Sequence, residues 1–232
     1  MGKHIRTGMN YLEILQENQK IKVNGPKYEI AVLSNIELSN ISEILEYYIK
    51  IIRVNPSIIL GDYDNIVQDS TKYQNLDLVI IFWELSNLIE GLHFNIELLN
   101  DNEIEKIIKK VESEIIFIFD NLKKTSLILI NKFTSLHFSG LNIRKNKLDK
   151  LTDELNDVIK SKLNPNIKIV DLDKVISVVG LSSSHDFKYY YLSKALYTVD
   201  FFKVYVQFIL PFIMSANGKA KKALIFDCDN TL

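Results

Sequence analysis

Cysteine is almost absent from this chain, because Cys228 is the only one among 232 residues. A single thiol cannot form an internal disulfide, and it cannot build a cysteine-rich zinc site. Histidine is also scarce, and no two of the four histidines have the spacing of a metal-binding pair. The sequence therefore excludes an internal disulfide framework and a zinc-finger type of domain.

Net charge and long apolar runs are lacking as well. The chain has 28 basic and 29 acidic side chains, a net charge of -1, so no overall field would attract nucleic acid or an anionic membrane. Residues 204–214 (VYVQFILPFIM) are apolar, but they are about half as long as a membrane span and contain Pro211. The first eight residues are polar, unlike a secretory signal. We expect a cytoplasmic protein in which residues 204–214 form a buried helix.

The sequence alternates between short apolar runs, typical of buried strands, and amphipathic stretches, typical of helices. The predicted strands are 28–33, 57–60, 76–82, 127–130 and 167–170. Ser39 or Asn40 is expected to cap the second helix, and Asp101 or Asn102 the third. The predicted helices are 11–20, 40–53, 102–124, 145–163, 171–179, 189–195 and 200–216.

Five buried strands separated by helices predict an α/β fold with a doubly wound, mainly parallel sheet in a flavodoxin-like three-layer sandwich. Residues 215–222 (SANGKAKK) are small and basic and contain Gly218, so they are the predicted linker. We therefore expect one α/β domain over residues 1–218, followed over 219–232 by the linker and the first strand of a second domain.

The last residues of the sequence combine an apolar strand with two carboxylates. Residues 224–232 read LIFDCDNTL, so Asp227 and Asp229 follow the strand directly. A buried strand with two carboxylates at its carboxyl end is a common way for an α/β fold to present a nucleophile and a magnesium site. Asp227 and Asp229 are therefore the candidate catalytic and metal-binding residues.

This D-x-D-x-T pattern resembles motif I of the haloacid dehalogenase superfamily. The resemblance implies that Asp227 attacks a phosphoryl group and that Asp229 acts as general acid and base. It also implies a Mg²⁺ ion bound by Asp227 and the backbone carbonyl of Asp229, which neutralises phosphate charge during transfer. We expect the remaining motifs of that active site beyond residue 232, so that residues 1–232 alone would not be an active phosphatase.

Several stretches earlier in the chain carry a second resemblance through their order and spacing. They are Ser34-Asn35, Gly61-Asp62-Tyr63, 77–81 (DLVII), 186–191 (DFKYYY), 199–214 and 218–232. Together they resemble the FkbH-like proteins, subfamily IIIC of that superfamily, in which a domain similar to SGNH hydrolases precedes the phosphatase-type domain. The resemblance implies phosphorylated three-carbon acids as substrates and an acyl carrier protein as a partner that receives a glyceryl group.

The first domain departs from the active-site pattern of SGNH hydrolases. Such an enzyme needs a serine after the first strand, oxyanion donors after later strands, and Asp-x-x-His before the last helix. Here Ser34 stands in Ser-Asn rather than Gly-Asp-Ser, Gly61 fits the second block, and Trp83-Glu84 replaces the third. Residues 196–200 (LYTVD) contain no histidine. We expect a non-catalytic binding or docking module; the alternative is an SGNH-like esterase or acyltransferase with a rearranged site.

Polar and aromatic residues gather at the carboxyl ends of the predicted strands, where parallel sheets bind ligands. Trp83 and Tyr63 would offer flat apolar surface, and Asn131 and Lys132 would meet a phosphate or a phosphopantetheine arm. The equally weighted alternative is that strand ends are polar because loops meet water. The candidate binding residues are Ser34, Asn35, Gly61, Asp62, Trp83, Glu84, Asn131 and Lys132, with His137 and His185 as further candidates.

Two further groups of residues favour ordinary structural roles. Residues 182–186 (SSSHD) contain the residue types of a catalytic triad, but neighbouring side chains diverge, so we predict a polar loop that caps the helix near Phe187. His93 is expected to be a partly buried packing residue and His137 to lie in a surface loop. The basic residues Arg144, Lys145, Lys147 and Lys150 would either meet an acidic carrier protein or form a solvated helix face.

Overall fold

The computed structural model describes residues 9–38, 40–138 and 146–219. Several sequence predictions lie outside these residues. They include the candidate catalytic and magnesium-binding residues, the strand before them and part of the basic group: Asp227, Asp229, 223–226, Arg144 and Lys145.

The centre of the fold is a sheet of five parallel strands. Every side chain of the third and fourth strands is buried, which requires helices on both faces of the sheet. The fold is therefore the predicted doubly wound α/β class. The strands are β1 (Lys27–Ser34), β2 (Asn55–Leu60), β3 (Leu78–Phe82), β4 (Leu127–Asn131) and β5 (Ile167–Val170), and their order across the sheet is β2-β1-β3-β4-β5.

Helices cover the sheet on both faces. One face packs against α1, α2, α7, α9 and α10, and the other against α3, α4, α5 and α6, so each face has its own apolar cluster. Two 3₁₀ turns, Leu85–Asn87 and Ile96–Leu98, flank α4. The helices are α1 (Tyr11–Lys20), α2 (Ile41–Ile51), α3 (Ile66–Lys72), α4 (Leu92–Asn95), α5 (Asp101–Asn121), α6 (Lys147–Ser161), α7 (Leu172–Val179), α8 (Leu181–Ser184), α9 (Phe187–Ser193) and α10 (Val199–Ala216).

Side-chain caps explain where several helices begin. The side chain of Asn100 accepts a hydrogen bond from the amide of Glu103, and the Glu103 carboxylate accepts one from the amide of Asn100. The prediction of Asp101 or Asn102 as this cap was therefore wrong. The prediction for α9 is confirmed, because Asp186 accepts hydrogen bonds from the amides of the next helical turn.

Helix α10 contains the apolar segment 204–214. Within the described residues it is the helix whose length and apolar composition would suffice to cross a membrane, and 39% of that stretch is buried in the protein. Phe201, Tyr205 and Ile209 are completely buried against the sheet and its neighbouring helices. Packing into the core therefore accounts for its apolar composition, and the buried helix predicted from the sequence is confirmed.

The direction of α10 decides where the described chain leaves the sheet. Just before the helix, the Tyr197 hydroxyl donates a hydrogen bond to Glu84, which follows β3 at the carboxyl edge of the sheet. Beyond the helix, the Lys219 ammonium donates to the carbonyls of Ile52 and Arg53, just before β2 begins. The described chain therefore ends at the amino edge, opposite the strand ends that carry the candidate binding residues.

Candidate functional site

The candidate site lies where the neighbouring strands β1 and β3 end, with Ser34 paired to Phe82 in the last register position. After β1 the chain enters α2 on one face of the sheet, and after β3 it continues to α5 on the other face. Adjacent strands whose connections diverge in this way leave a crevice between their carboxyl ends, where ligands of such folds bind.

Asn35 bridges this crevice. Its side-chain oxygen accepts a hydrogen bond of 2.7 Å from the Glu84 amide, and its side-chain nitrogen donates one of 2.9 Å to the Glu84 carbonyl. The Asn87 side chain also donates a hydrogen bond to the Asn35 carbonyl. Asn35 is 1% exposed, so it holds the two walls of the crevice together from within.

Asn131 makes the same type of bridge from β4. Its side-chain oxygen accepts a hydrogen bond of 2.6 Å from the Trp83 amide, and its side-chain nitrogen donates to the carbonyls of Trp83 and Lys132. The Asn131 side chain is completely buried. Instead of pointing towards a phosphate, as the sequence suggested, it positions the backbone of Trp83.

Glu84 is a buried carboxylate. It accepts hydrogen bonds from the Tyr197 hydroxyl at 2.6 Å and from both the amide and the hydroxyl of Ser86 at 3.2 Å. Burial raises the pKa of Glu84, although these hydrogen bonds oppose the shift. Burial and the Glu84 charge raise the pKa of Tyr197 well above its usual range, so the tyrosine remains a proton donor. Glu84 therefore joins β3 to the start of α10 and does not face solvent.

The loop after β2 is organised around Asp69, a buried residue of α3. The Asp69 carboxylate accepts a hydrogen bond of 2.7 Å from the Asp62 amide and forms an ion pair of 2.8 Å with Lys72. A Cβ atom on Gly61 would lie 2.6 Å from this carboxylate, so only glycine allows the approach. Asp69, which was not predicted from the sequence as a site residue, therefore fixes the positions of Gly61 and Asp62.

Ser34 is the last residue of β1 and is 8% exposed. Its hydroxyl accepts a hydrogen bond of 3.0 Å from the Ile36 amide. Within the described ranges, no histidine or carboxylate forms a hydrogen bond with this hydroxyl. The described residues therefore do not activate Ser34 as a nucleophile.

Lys132 lies in an ion-pair cluster. Its ammonium is 3.1 Å from the Asp171 carboxylate and 2.5 Å from that of Asp173. Burial lowers the pKa of Lys132, but the hydrogen bonds and charges of the two aspartates outweigh burial and raise the pKa above its ordinary value. The charge that was expected to meet a phosphate is already neutralised.

His137 lies in a turn, as predicted, but its ring is partly buried and contacts the polar segment before α9. Its Nε2 atom is 3.1 Å from the hydroxyl of Ser184, and its ring centre is 4.7 Å from that of His185. Burial and the nearby His185 lower the pKa of His137 to about 3, so the ring is neutral at physiological pH. Residues 181–184 also form the short helix α8 instead of the predicted loop.

The Ser184–His137 contact does not have the polarity of a catalytic pair. The Ser184 hydroxyl donates its proton to the Leu181 carbonyl at 2.7 Å, so the Nε2 atom of His137 must be the donor to Ser184. Ser184 also has no exposed surface. His137 therefore cannot act as the base for this serine in the observed geometry.

A cavity of about 180 Å³ opens beside the crevice, on the face covered by α3 and α5. Of the predicted binding residues, Asn35 and Trp83 line it. Asn87, Lys110 and Glu114 also line the cavity and were not predicted from the sequence. Lys110 and Glu114 stand four residues apart on α5, a pattern so common on solvated helix faces that it carries no functional signal by itself.

The described part of the basic group lies beside a groove between α5 and α6. The Lys147 ammonium donates hydrogen bonds to the carbonyls of Glu97 and Leu99, which leaves Lys150 as the other basic residue of the groove. Three carboxylates also line the groove, those of Asp101, Glu105 and Glu154. They outnumber the two basic side chains, which weakens the case for an acidic partner there.

Comparison with known proteins supports the fold. No family model and no curated protein matches the chain. Among solved structures, it is similar to the N-terminal part of the protein BF1531 from Bacteroides fragilis, a crystal structure that contains a phosphatase domain complexed with Mg. The TM-score is 0.73 at 18% sequence identity, and the match covers 96% of this chain. It covers 61% of the other chain, so this chain spans about three fifths of its structural neighbour.

Proposed function

We propose that residues 1–218 form a binding or docking module, without catalytic activity of its own, at the amino end of an FkbH-like, Mg²⁺-dependent phosphatase-type enzyme. The observation that carries this proposal is the shared fold over 96% of the chain with the N-terminal part of a protein that contains a phosphatase domain and binds Mg. The D-x-D-x-T pattern at residues 227–231 supports the same assignment independently.

In this proposal the phosphate chemistry belongs to a downstream domain. Asp227 would attack the phosphoryl group, and Asp229 would transfer the proton. Among residues 9–38, 40–138 and 146–219, no group of three histidine, cysteine or acidic side chains could hold a metal ion. In this proposal Asp227 and Asp229, together with residues of the downstream domain, would hold the Mg²⁺ ion, and the metal would neutralise phosphate charge. A phosphorylated three-carbon acid and an acyl carrier protein remain the proposed substrate and partner.

The geometry of the carboxyl edge supports a module without catalysis. Asn35 and Asn131 use their side chains to pair with backbone groups, and Glu84 is enclosed by hydrogen-bond donors. Ser34 lacks a described base. A hydrolase requires a nucleophile and a base that converge on an accessible point, and these residues do not supply them.

The proposal is tested by phosphatase kinetics on the complete protein with p-nitrophenyl phosphate, with and without Mg²⁺. Asp227→Asn should reduce kcat by at least about 10³-fold, because it removes the nucleophile. The matched variant Ser34→Ala should retain full activity. Mg²⁺-independent turnover, or unchanged turnover in Asp227→Asn, would refute the proposal. Labelling of Ser34 by a fluorophosphonate would support the esterase alternative instead.

A further inference from the structure

Helix α10 has a side that faces away from the core. Its core side carries Phe201, Tyr205 and Ile209, which are completely buried. Residues at helical spacing on the opposite side form the outer face of α10: Val204, Gln207, Phe208, Pro211, Phe212 and Ser215. Pro211 and Ser215 are exposed, and the other four are partly buried. The outer face is therefore accessible in the described part of the chain.

The outer face contains no charged residue. Asp200 and Lys203 are the charged residues of α10, and they lie near its start and pair with each other at 2.6 Å. The Gln207 side chain donates a hydrogen bond to the Tyr48 hydroxyl of α2, so this polar group is already bound within the domain. Residues 204–214 of the helix therefore present no charge to solvent.

Other long helices of the domain carry charges where they meet water. On α5, Lys109 pairs with Glu105 at 2.6 Å, and both side chains are more than half exposed. On α6, Lys160 pairs with Asp157 at 2.8 Å, and both are again more than half exposed. An accessible helix side without charges is instead typical of an interface, because its apolar groups gain free energy when another surface covers them.

Pro211 also gives the outer face a backbone acceptor. Proline has no amide hydrogen, so Pro211 cannot donate the helix hydrogen bond to the Gln207 carbonyl four residues earlier. In a helix each carbonyl points towards the residue four positions later, so this acceptor lies beside the exposed proline ring. A covering domain would therefore bind the outer face through apolar contacts and through one hydrogen bond.

The described chain leaves α10 beside the outer face. The Gly218 amide donates to the Ser215 carbonyl at 3.1 Å, and the Lys219 amide donates to the Met214 carbonyl at 2.8 Å. These hydrogen bonds end the helix in a tight turn, in which Gly218 has a left-handed φ of 65°. The Lys219 ammonium is anchored to backbone carbonyls just before β2. The exit point of the chain is therefore fixed relative to α10.

The stretch between Lys219 and the next apolar run is short. Residues 220–223 join Lys219 to the run that begins at Leu224. Even a fully extended stretch would hold Leu224 within about 18 Å of Lys219, at roughly 3.6 Å per residue. Pro211 precedes Lys219 by eight residues, which is about 12 Å along a helix. A domain that begins at Leu224 would therefore start within reach of the outer face.

We propose that the outer face of α10 is the docking surface for the phosphatase-type domain that begins after residue 219, an inference that rests on the proposed function above. The matching surface of that domain is apolar and offers a hydrogen-bond donor to the Gln207 carbonyl. Because the other side of α10 is buried in the core of the first domain, docking on this helix fixes the relative orientation of the two domains.

Thiol labelling of the complete protein tests whether the outer face is covered. Pro211→Cys introduces a thiol on the outer face, and the control Leu192→Cys introduces one on α9, where Leu192 is 72% exposed. N-ethylmaleimide should react at position 211 at least about tenfold more slowly than at position 192, because reaction at position 211 requires the domains to separate. Rates in urea provide the unfolded reference, and peptide mass spectrometry separates both positions from Cys228.

Trypsin cleavage of the complete protein tests what holds the domains together. Lys219, Lys221 and Lys222 provide cleavage sites between them. Pro211→Glu would bury a charge in the docked surface, so it should raise the cleavage rate there at least about tenfold, since cleavage follows the population of separated domains. The control Leu192→Glu adds the same charge on α9 and should leave this rate unchanged. Circular dichroism checks that both variants are folded.

Two results would overturn the docking surface. One is equal labelling at positions 211 and 192, which would show that no domain covers α10. The other is a dimer in analytical ultracentrifugation that Pro211→Glu dissociates without faster cleavage, because a second copy of the chain would then cover the outer face.

The docking surface and the proposed function fail separately. Unchanged turnover in Asp227→Asn refutes the phosphatase assignment, whatever the labelling at position 211. Fast labelling at position 211 in a protein that keeps its Mg²⁺-dependent turnover refutes the docking surface alone.

Discussion

At the scale of single residues, two buried asparagines shape the carboxyl edge of the sheet. Asn35 pairs with both backbone groups of Glu84, and Asn131 pairs with both backbone groups of Trp83. An amide side chain can donate and accept at once, as a neighbouring strand does, so it satisfies the backbone where the strands end. An unsatisfied buried backbone group would cost about 1–3 kcal/mol.

The buried carboxylate of Glu84 leads to a prediction about pH. Its pKa in the folded protein is raised above the ordinary value of 4.5, chiefly by burial. The folded state therefore holds the proton more tightly than the unfolded state, and the free energy of unfolding falls as pH rises above 4.5. The Glu84→Gln substitution removes the ionisable group and therefore removes this loss of stability at higher pH. Urea unfolding should show Glu84→Gln to be more stable than the native protein at pH 7, with a difference that shrinks towards pH 4.

Tyr197→Phe serves as the matched control. It removes the hydroxyl that donates to Glu84 while leaving the buried carboxyl group in place, so it should lower the free energy of unfolding by about 1–3 kcal/mol at pH 7. If Glu84→Gln lowered the free energy of unfolding equally at pH 4 and pH 7, the contribution of Glu84 to stability would come from packing and hydrogen bonding and not from its ionisation.

At the scale of secondary-structure elements, strands were predicted more reliably than short helices. The five predicted strands agree with the observed ones to within two residues, because buried parallel strands are continuous apolar runs. Helices α3, α4 and α8 were missed. The α3 sequence IVQDSTK is short, polar and without a helical apolar repeat, so tertiary contacts decide its conformation.

The start of α5 leads to a prediction about capping. Asn100→Ala removes the side-chain oxygen that accepts from the Glu103 amide, and it should lower the free energy of unfolding by about 1 kcal/mol. The control Asn102→Ala changes the second residue of the same helix, which makes no capping bond, so its effect should stay within about 0.5 kcal/mol. Urea denaturation followed by circular dichroism measures both. A larger loss of stability in Asn102→Ala than in Asn100→Ala would show that Asn100 is not the residue that caps the helix.

At the scale of the whole molecule, the two edges of the sheet have different roles. The carboxyl edge carries the crevice and the cavity, whereas the described chain ends near Lys219 at the amino edge. Helix α10 has 18 residues, so it is about 27 Å long at 1.5 Å per residue, and it runs from the carboxyl edge to the amino edge. The cavity therefore lies at the edge of the sheet opposite Lys219, where the described residues end.

The predicted domain boundary near residue 219 can be tested by truncation. A chain that ends at Lys219 should unfold in one cooperative urea transition, because both apolar clusters lie within the described residues. A control that ends at Val206 loses the buried Ile209, Leu210 and Ile213. Losing each of these buried side chains should lower the free energy of unfolding by about 1.5–3 kcal/mol. The combined loss is comparable to the total stability of a domain, about 5–15 kcal/mol, so this shorter chain should not fold. Failure of the longer chain to fold would place the boundary further along the sequence.

The fold class, the strands and the residues at the strand ends could be predicted from the sequence, because these features depend on local apolar patterning. Which of those residues contact one another depends on how distant segments pack. Asn35 and Glu84 are 49 positions apart and become partners because β1 and β3 are neighbours in the sheet. The cavity between α3 and α5 arises in the same way, since helices distant in sequence pack on one face of the sheet, a property that no local pattern contains.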